Sequence, residues 1–372
     1  MIYLDSAATS FIKPPAVKKA MLKAVNSLAS PGRGGYPAAM KAAELCYLTR
    51  EKAGEMFGCL PENVVLTFNA THGLNIAINS LVSAGDKVVI SGFEHNAVTR
   101  PLYALNANVA VSHGRLFCPD EILESVEAEL QDAKCCICTH VSNVFGYVLP
   151  IDEIAALCRE RGVPLIVDAS QSAGVLPVNM AQWGAAFVAM PGHKGLFGAQ
   201  GTGLLLCNGQ TRPIMYGGTG VNSISRVMPE DLPERLEAGT HNMPGIAALL
   251  AGMNFVSDTG IERISRHECY LRRILAFELN KFPNVWVYES GDNRLQSGVL
   301  SVAVEGMDCQ EIASLLGQRG VAVRAGLHCA PLAHKTADTL ECGTVRFSFS
   351  PFNNSTEITR TAKIMGDILN KS

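Results

Sequence analysis

A lysine that could form a covalent bond stands out first. In "VAMPGHKGLFG", residues 188 to 198, an apolar run stops at Pro191 and Gly192-His193-Lys194-Gly195 follows. A lysine held where a buried strand ends loses hydration, its pKa falls, and its neutral amine can form an imine with an aldehyde. Polar residues follow four other apolar runs in the same way. Asn69-Ala70-Thr71-His72-Gly73 comes after "VVLTF", and Glu94-His95-Asn96 after "VVIS". Asn143 closes "CICTHVS", while Asp168 and then Gln171 follow "LIV". Each alone reads as an ordinary cap or turn residue. Five strands delivering such groups to one sheet edge define a site, because ligands of parallel α/β sheets bind beyond the carboxyl ends of the strands.

The chemistry of these groups is specific. Ala70 and Thr71, with free N–H groups at a helix start, suit a phosphate. Asp168 at a buried strand end needs a cation to meet it. The His95 imidazole can stack on a flat ring, and Lys194 can take an aldehyde. Phosphate, cationic ring nitrogen, flat ring and aldehyde together describe pyridoxal 5′-phosphate. Nucleotide signatures are absent: there is no GxxxxGK[ST], and no GxGxxG between a strand and a helix.

The elements that must position these residues follow from hydrophobic period. Strands are expected at "NVVLTF", "DKVVIS", "VAVSH", "KCCICTHVS", "VPLIVDAS", "AAFVAM" and "TGLLLCN", with helical segments such as "THGLNIAINSLV" and "IDEIAALCRERG" between several of them. Near-continuous apolar strands alternating with helices predict an α/β fold with a mainly parallel seven-stranded sheet. Pro14-Pro15 opens a helix with Val17, Met21, Ala24 and Leu28 on its inner face. After about residue 245 comes one long helical stretch, then short strands at "VWVYES", "GVLSVAV", "VAVRAG" and "TVRFSFS". A last helix starts at a capping box, Asn354 with Glu357, and carries Ile358, Ala362, Met365 and Leu369 on one face. The expected division is an N-terminal segment 1–13 packing with the small domain, a large cofactor-binding domain 14–245, and a small α/β domain 246–372.

Composition narrows the function classes. Of 372 residues 48% are hydrophobic and 17% charged, the profile of a well-packed globular chain. The net charge of -3, with no long basic run, gives no electrostatic case for nucleic acid or a membrane as main partner. The opening "MIYLDSAATS" lacks a basic segment followed by an apolar run, so the twelve cysteines are expected to be reduced thiols of a cytoplasmic protein. Cys135, Cys136 and Cys138 are expected in a core strand rather than on a metal, since neighbouring strand residues point to opposite faces. No metal is expected.

The sequence resembles pyridoxal-phosphate enzymes of fold type I, in the class V aminotransferase group, and is most similar there to the cysteine desulfurases. The resemblance runs in order through "YLDSAAT", "RGG", "NATHGLNIAIN", "EHNA", "HVSNVFG", "VDASQSAG", "GHKGLFGAQGTG", "RLEAGTHN", "VRAGLHCAP" and "VRFSFSPFN". It implies that Lys194 carries the cofactor, Asp168 partners the ring nitrogen and His95 stacks on the ring and handles protons. Asn143 and Gln171 would contact the phenolic oxygen, with Ala70, Thr71 and His193 on the phosphate. Thr240 resembles a position that reaches the phosphate of the neighbouring subunit, which implies a homodimer. Pro191 stands where the family usually has a hydroxyl, and Asn69-Ala70 where hydroxyls are common.

The segment "VRAGLHCAPL" separates the reactions this cofactor serves. Arg324 suits a bidentate bond to a substrate carboxylate, Arg346 is a second basic candidate lining the site, and Asn143 is expected among the substrate contacts too. "R-x-G-x-H-C-A" is similar to the persulfide loop of cysteine desulfurases, which makes Cys329 the sulfur acceptor from L-cysteine. Its thiolate is expected to be favoured by His328 or Arg324. The short stretch from Cys329 to "VRFSFS" implies slow turnover without a sulfur-acceptor protein, as in iron–sulfur cluster assembly. A selenocysteine lyase, or another class V lyase or aminotransferase, would use nearly the same residues. A non-enzymatic alternative is a sulfur-assembly scaffold that has lost its chemistry.

Overall fold

The computed structural model describes residues 1–32 and 34–370; Arg33, in the "RGG" motif, lies outside the described residues. The chain opens with β1 (Ile2–Tyr3), α1 (Pro15–Ser27) and α2 (Pro37–Phe57). There follow β2 (Val64–Thr67), α3 (Ala70–Leu81), β3 (Lys87–Ser91), α4 (Asn96–Ala104), β4 (Asn108–Ser112), α5 (Pro119–Glu129) and β5 (Cys135–Thr139). Next come α6 (Ile151–Arg161), β6 (Leu165–Asp168), α7 (Met180–Trp183), β7 (Phe187–Pro191) and β8 (Gly203–Cys207). The C-terminal part holds α8 (Met243–Thr259), α9 (Ile261–Leu279), β9 (Val285–Tyr288), β10 (Val299–Val304), α10 (Cys309–Gln318), β11 (Val321–Ala322), β12 (Arg324–Gly326), α11 (Pro331–Thr336), β13 (Thr344–Ser348) and α12 (Ser355–Leu369).

The large sheet has seven strands in the order β2-β8-β7-β6-β5-β3-β4. All run parallel except β8, which is antiparallel to both of its neighbours. The carboxyl ends of β2, β3, β5, β6 and β7 therefore meet at one edge. Both faces of the sheet are covered, as fully apolar strands require. Cys136 and Cys138 of β5 join Ile122 and Val126 of α5 and Ile154 and Cys158 of α6 on one face. Cys135 and Ile137 join Leu74 and Ile78 of α3 and Val98 and Leu102 of α4 on the other.

A second, antiparallel sheet of order β12-β13-β10-β9 forms the small core with α9, α10 and α12. Ile2 and Leu4 join that core, and β1 pairs in parallel with β11. The capping box at Asn354 and Glu357 forms, and Ile358, Ala362, Met365 and Leu369 are all buried. Two expectations change. The long helical stretch after residue 245 is two helices, broken at Gly260, whose φ of 87° suits glycine. The first of them, α8, puts Leu249 and Met253 into the large-sheet core. Likewise "VAVRAG" is not one strand: β11 pairs with β1 and β12 with β13, in separate sheets.

Candidate active site

Lys194 sits three residues beyond β7, and close backbone packing places it. A Cβ on Gly195 would strike the carbonyl oxygen of Ala173, and one on Gly192 the Thr202 hydroxyl. Neither glycine adopts a positive φ. Their role is thus contact without a side chain, rather than backbone freedom. The neighbouring His193 is held by the N-terminal segment. Its Nδ1 lies 3.0 Å from Thr9 Oγ1, and its carbonyl accepts from Ser10 N–H at 3.0 Å and Lys13 Nζ at 3.2 Å. Burial first, and then the Lys194 and Lys13 charges, pull His193 down to about 4.

Eight expected residues line one open cavity: Ala70, Thr71, His95, Asn143, Asp168, Gln171, His193 and Lys194. Pro191 lines it too, without a hydroxyl to offer. Burial above all brings Lys194 down to about 8, helped by Arg346 and Arg324 and opposed by Asp168 and Asp5. Its amine is therefore partly neutral near neutral pH, as nucleophilic attack requires. His95 caps α4, its Nδ1 accepting the Ala97 N–H at 3.0 Å, so the neutral ring carries its proton on Nε2. Burial holds His95 below the usual imidazole range, although Asp168 pulls it upward.

These residues suit pyridoxal phosphate. Asp168 is buried, accepts the Ser170 N–H at 2.9 Å, and still faces the cavity as an acid able to meet a ring N–H. The Asn143 Oδ1 is buried without a partner among the described residues. At the start of α3 the Asn69 side chain accepts the His72 N–H, leaving the first-turn N–H groups of Ala70 and Thr71 for an anion.

The cysteine loop docks against the same edge. His328 and Cys329 both adopt left-handed backbone, φ 52° and 57°, which is strained for residues with a Cβ. Two large-domain groups hold them there. Asn143 Nδ2 donates to the His328 carbonyl at 2.8 Å, and the Asn96 N–H, next to His95, donates to the Cys329 carbonyl at 2.8 Å. The Cys329 thiol is exposed, and Arg324 Nη2 lies 3.7 Å from its sulfur. His328 cannot supply positive charge to that sulfur as expected. Burial, with Arg346 second, pulls it down to about 2, so it stays neutral. Arg324 is the cation at hand.

Arg346 is not the exposed side chain that a surface pairing would need. It is buried, with Nη2 donating to Asp5 Oδ1 at 2.7 Å and Nη1 to the Asn143 carbonyl at 2.9 Å. Thr240 lies outside the lysine cavity, in a separate one lined by Phe68, His72, Glu237 and His241. Sequence reasoning assigned nothing to Asp5, Thr9, Ser10, Lys13 or Asn96. The quoted "YLDSAAT" spans Asp5 and Thr9, and Asn96 stood among the polar residues after "VVIS" without a role of its own. Among the described residues no three His, Cys, Asp or Glu side chains group as a metal site would need, and no helix is long and apolar enough to cross a membrane.

The chain belongs to the aminotransferase class-V family, whose model matches residues 2–361. Within it the chain groups with the cysteine desulfurases. It is 32% identical to a probable cysteine desulfurase of Methanothermobacter thermautotrophicus, over 99% of this chain and 94% of that one. The apo structure of a cysteine desulfurase from Thermococcus onnurineus superposes with a TM-score of 0.92 at 29% identity, covering 100% and 95% of the two chains. The Escherichia coli cysteine desulfurase CsdA gives 0.86 at 25% identity, covering 99% and 94%.

Proposed function

We infer that the protein is a pyridoxal-phosphate-dependent cysteine desulfurase, which converts L-cysteine to L-alanine and collects the sulfur on Cys329. One observation carries this reading beyond the shared cofactor. A thiol on strained backbone is bonded, through its own carbonyl, to the residue after His95 in the lysine cavity. Lys194 would join the cofactor aldehyde, Asp168 its ring nitrogen, His95 its face and Asn143 and Gln171 its phenolic oxygen. Ala70, Thr71 and His193 would take the phosphate, with Thr240 reaching in from a second subunit. The bound cofactor supplies an electron sink for the pair left at Cα.

The chain's own groups do the rest. Arg324, with Arg346 behind it, holds the substrate carboxylate. The Lys194 amine, lowered to about 8, takes the Cα proton. The Cys329 thiolate, beside Arg324, attacks the substrate sulfur. An S–S bond forms and the Cβ–S bond breaks, its electrons staying on carbon, which takes a proton. The net change turns the Cys329 thiol and L-cysteine into a Cys329 persulfide and L-alanine.

We further propose a homodimer, a sulfur-acceptor protein that relieves the persulfide, and a cytoplasmic setting that fits twelve free cysteines. The small domain is proposed to begin at Gly260 rather than at residue 246, with Ile2 and Leu4 in its core while Thr9, Ser10 and Lys13 reach across to His193 of the large domain. The experiment is to incubate the holoenzyme briefly with L-cysteine, with and without L-selenocysteine as competitor. Alanine should form with one extra sulfur on the Cys329 peptide. Alanine without that sulfur would overturn the reading, and so would release from selenocysteine alone. Light scattering showing an active monomer would remove the dimer.

A further inference from the structure

Arg324 of β12 and Arg346 of β13 face each other as register partners on adjacent antiparallel strands. Like charges directly opposite repel. Arg346 is also 1% exposed, and a buried guanidinium without a counter-ion is strongly destabilising. Its counter-ion comes from the other end of the chain: Asp5 Oδ1 accepts from Arg346 Nη2 at 2.7 Å. Both partners are fixed to the framework. Asp5 bridges to Ser348 of β13, and its carbonyl accepts from the Tyr3 hydroxyl at 3.1 Å. Arg346 Nη1 is tied to the Asn143 carbonyl at 2.9 Å, and its Nε is buried without a partner.

The charges count simply. Two guanidinium groups and one carboxylate leave one net positive charge. Arg346 is bonded to Asn143, which lines the Lys194 cavity, and Arg324 Nη2 lies 3.7 Å from the Cys329 sulfur, so the trio borders the space between the lysine and the thiol. One positive charge complements an amino acid with a single carboxylate. Two would favour one with a second anionic group. We propose that Asp5 is a specificity-determining residue of the substrate site: by pairing with Arg346 it leaves one net positive charge there, which selects monocarboxylate amino acids over dianionic ones. The proposal rests on the reading that both arginines line the substrate site.

The test is equilibrium dialysis of the holoenzyme with labelled L-alanine and with labelled L-aspartate at one fixed ionic strength. Asp5→Asn should shift relative affinity toward L-aspartate by about tenfold or more, as one added charge at close range would. Asp5→Glu should keep the wild-type preference. If Asp5→Asn weakens both ligands equally, Asp5 is only structural and the proposal fails. Arg346→Met should weaken both ligands, because the local charge falls to zero. Adding Asp5→Asn to Arg346→Met restores one positive charge, so the double variant should bind L-alanine about tenfold tighter than Arg346→Met alone. That comparison holds even if Asp5→Asn fails to fold, and equal affinity in the two would overturn the proposal. An Arg346→Met protein that binds both ligands like wild type would instead remove the underlying reading of Arg346.

Discussion

The Asn143 side-chain amide donates to the His328 carbonyl at 2.8 Å, spanning from the large sheet edge to the cysteine loop. Only the NH₂ end can face a carbonyl, so this bond also fixes Oδ1 as the atom left without a partner. Through its own carbonyl Asn143 holds Arg346 as well. One residue thus ties the reacting loop and a buried arginine to the edge where the lysine stands. Asn143→Ala should leave the His328 carbonyl unpaired, at a cost of about 1–3 kcal/mol. The strained backbone at His328 and Cys329 should then relax away from the cavity. Persulfide formation on Cys329, followed by rapid quenching and mass spectrometry, should slow by about 10- to 100-fold. Borohydride trapping of the cofactor on Lys194 should persist. An unchanged sulfur-transfer rate would break the link between this bond and the loop.

Cys329→Ser separates sulfur transfer from cofactor binding. The thiol is absent from the cavity lined by Lys194, Asp168 and His95, so cofactor uptake should match wild type. A serine hydroxyl is essentially un-ionised near neutral pH and cannot attack sulfur as a thiolate does. Desulfuration of L-cysteine should fall by orders of magnitude. Full activity in this variant, measured as alanine released, would move the sulfur acceptor elsewhere.

Much of this site could be read from sequence because local signals marked it. Each large-sheet strand is an apolar run ending in polar residues, and strand direction alone sends Asn143, Asp168 and Lys194 to one edge. The last helix was legible from Asn354 and Glu357, three residues apart. What escaped notice depends on tertiary contact. "VAVRAG" carries one continuous apolar pattern, yet Val321 and Arg324 belong to different sheets. The stretch after Cys329 forms α11, whose Ala333 joins the large core, although six residues give too little period to see. Asp5 and Arg346 pair across 341 positions, and no pattern near either residue announces it. His328 looked like a cation because of its type. Burial, which sequence does not display, keeps it neutral.

The lowered Lys194 gives a pH signature for cofactor capture. Below about 8 the amine is mostly protonated and cannot attack an aldehyde; above it the neutral form dominates. Apoprotein mixed with pyridoxal phosphate and reduced by borohydride should show label on the Lys194 peptide. The initial rate of labelling should rise with pH and level off above about 8. Lys194→Ala should show none. A rate still climbing near pH ~10, the ordinary lysine range, would mean that burial does not depress this amine.

Glu94, next to His95, makes stability itself depend on pH. Its carboxyl is buried; Oε1 accepts from the Ser91 hydroxyl at 2.5 Å and the Thr139 N–H at 2.7 Å, and Oε2 has no partner. Burial above all, with Asp168 adding to it and those two hydrogen bonds opposing, brings it up to about 8. In the unfolded chain the group ionises near 4.5. Below that value both states are protonated and the contribution to stability is fully present. Above it the unfolded chain gives up a proton that the native protein keeps, so stability is lost as pH rises through about 8. The loss runs at up to about 1.4 kcal/mol per pH unit. Glu94→Gln cannot ionise in either state and escapes this slope. Urea midpoints of the two apoproteins, measured at about pH 5 and about pH 7.5, should show the variant gaining on wild type at the higher pH. If the gap between them is the same at both values, Glu94 is ionised in the native protein, and its buried carboxylate must have found a cation.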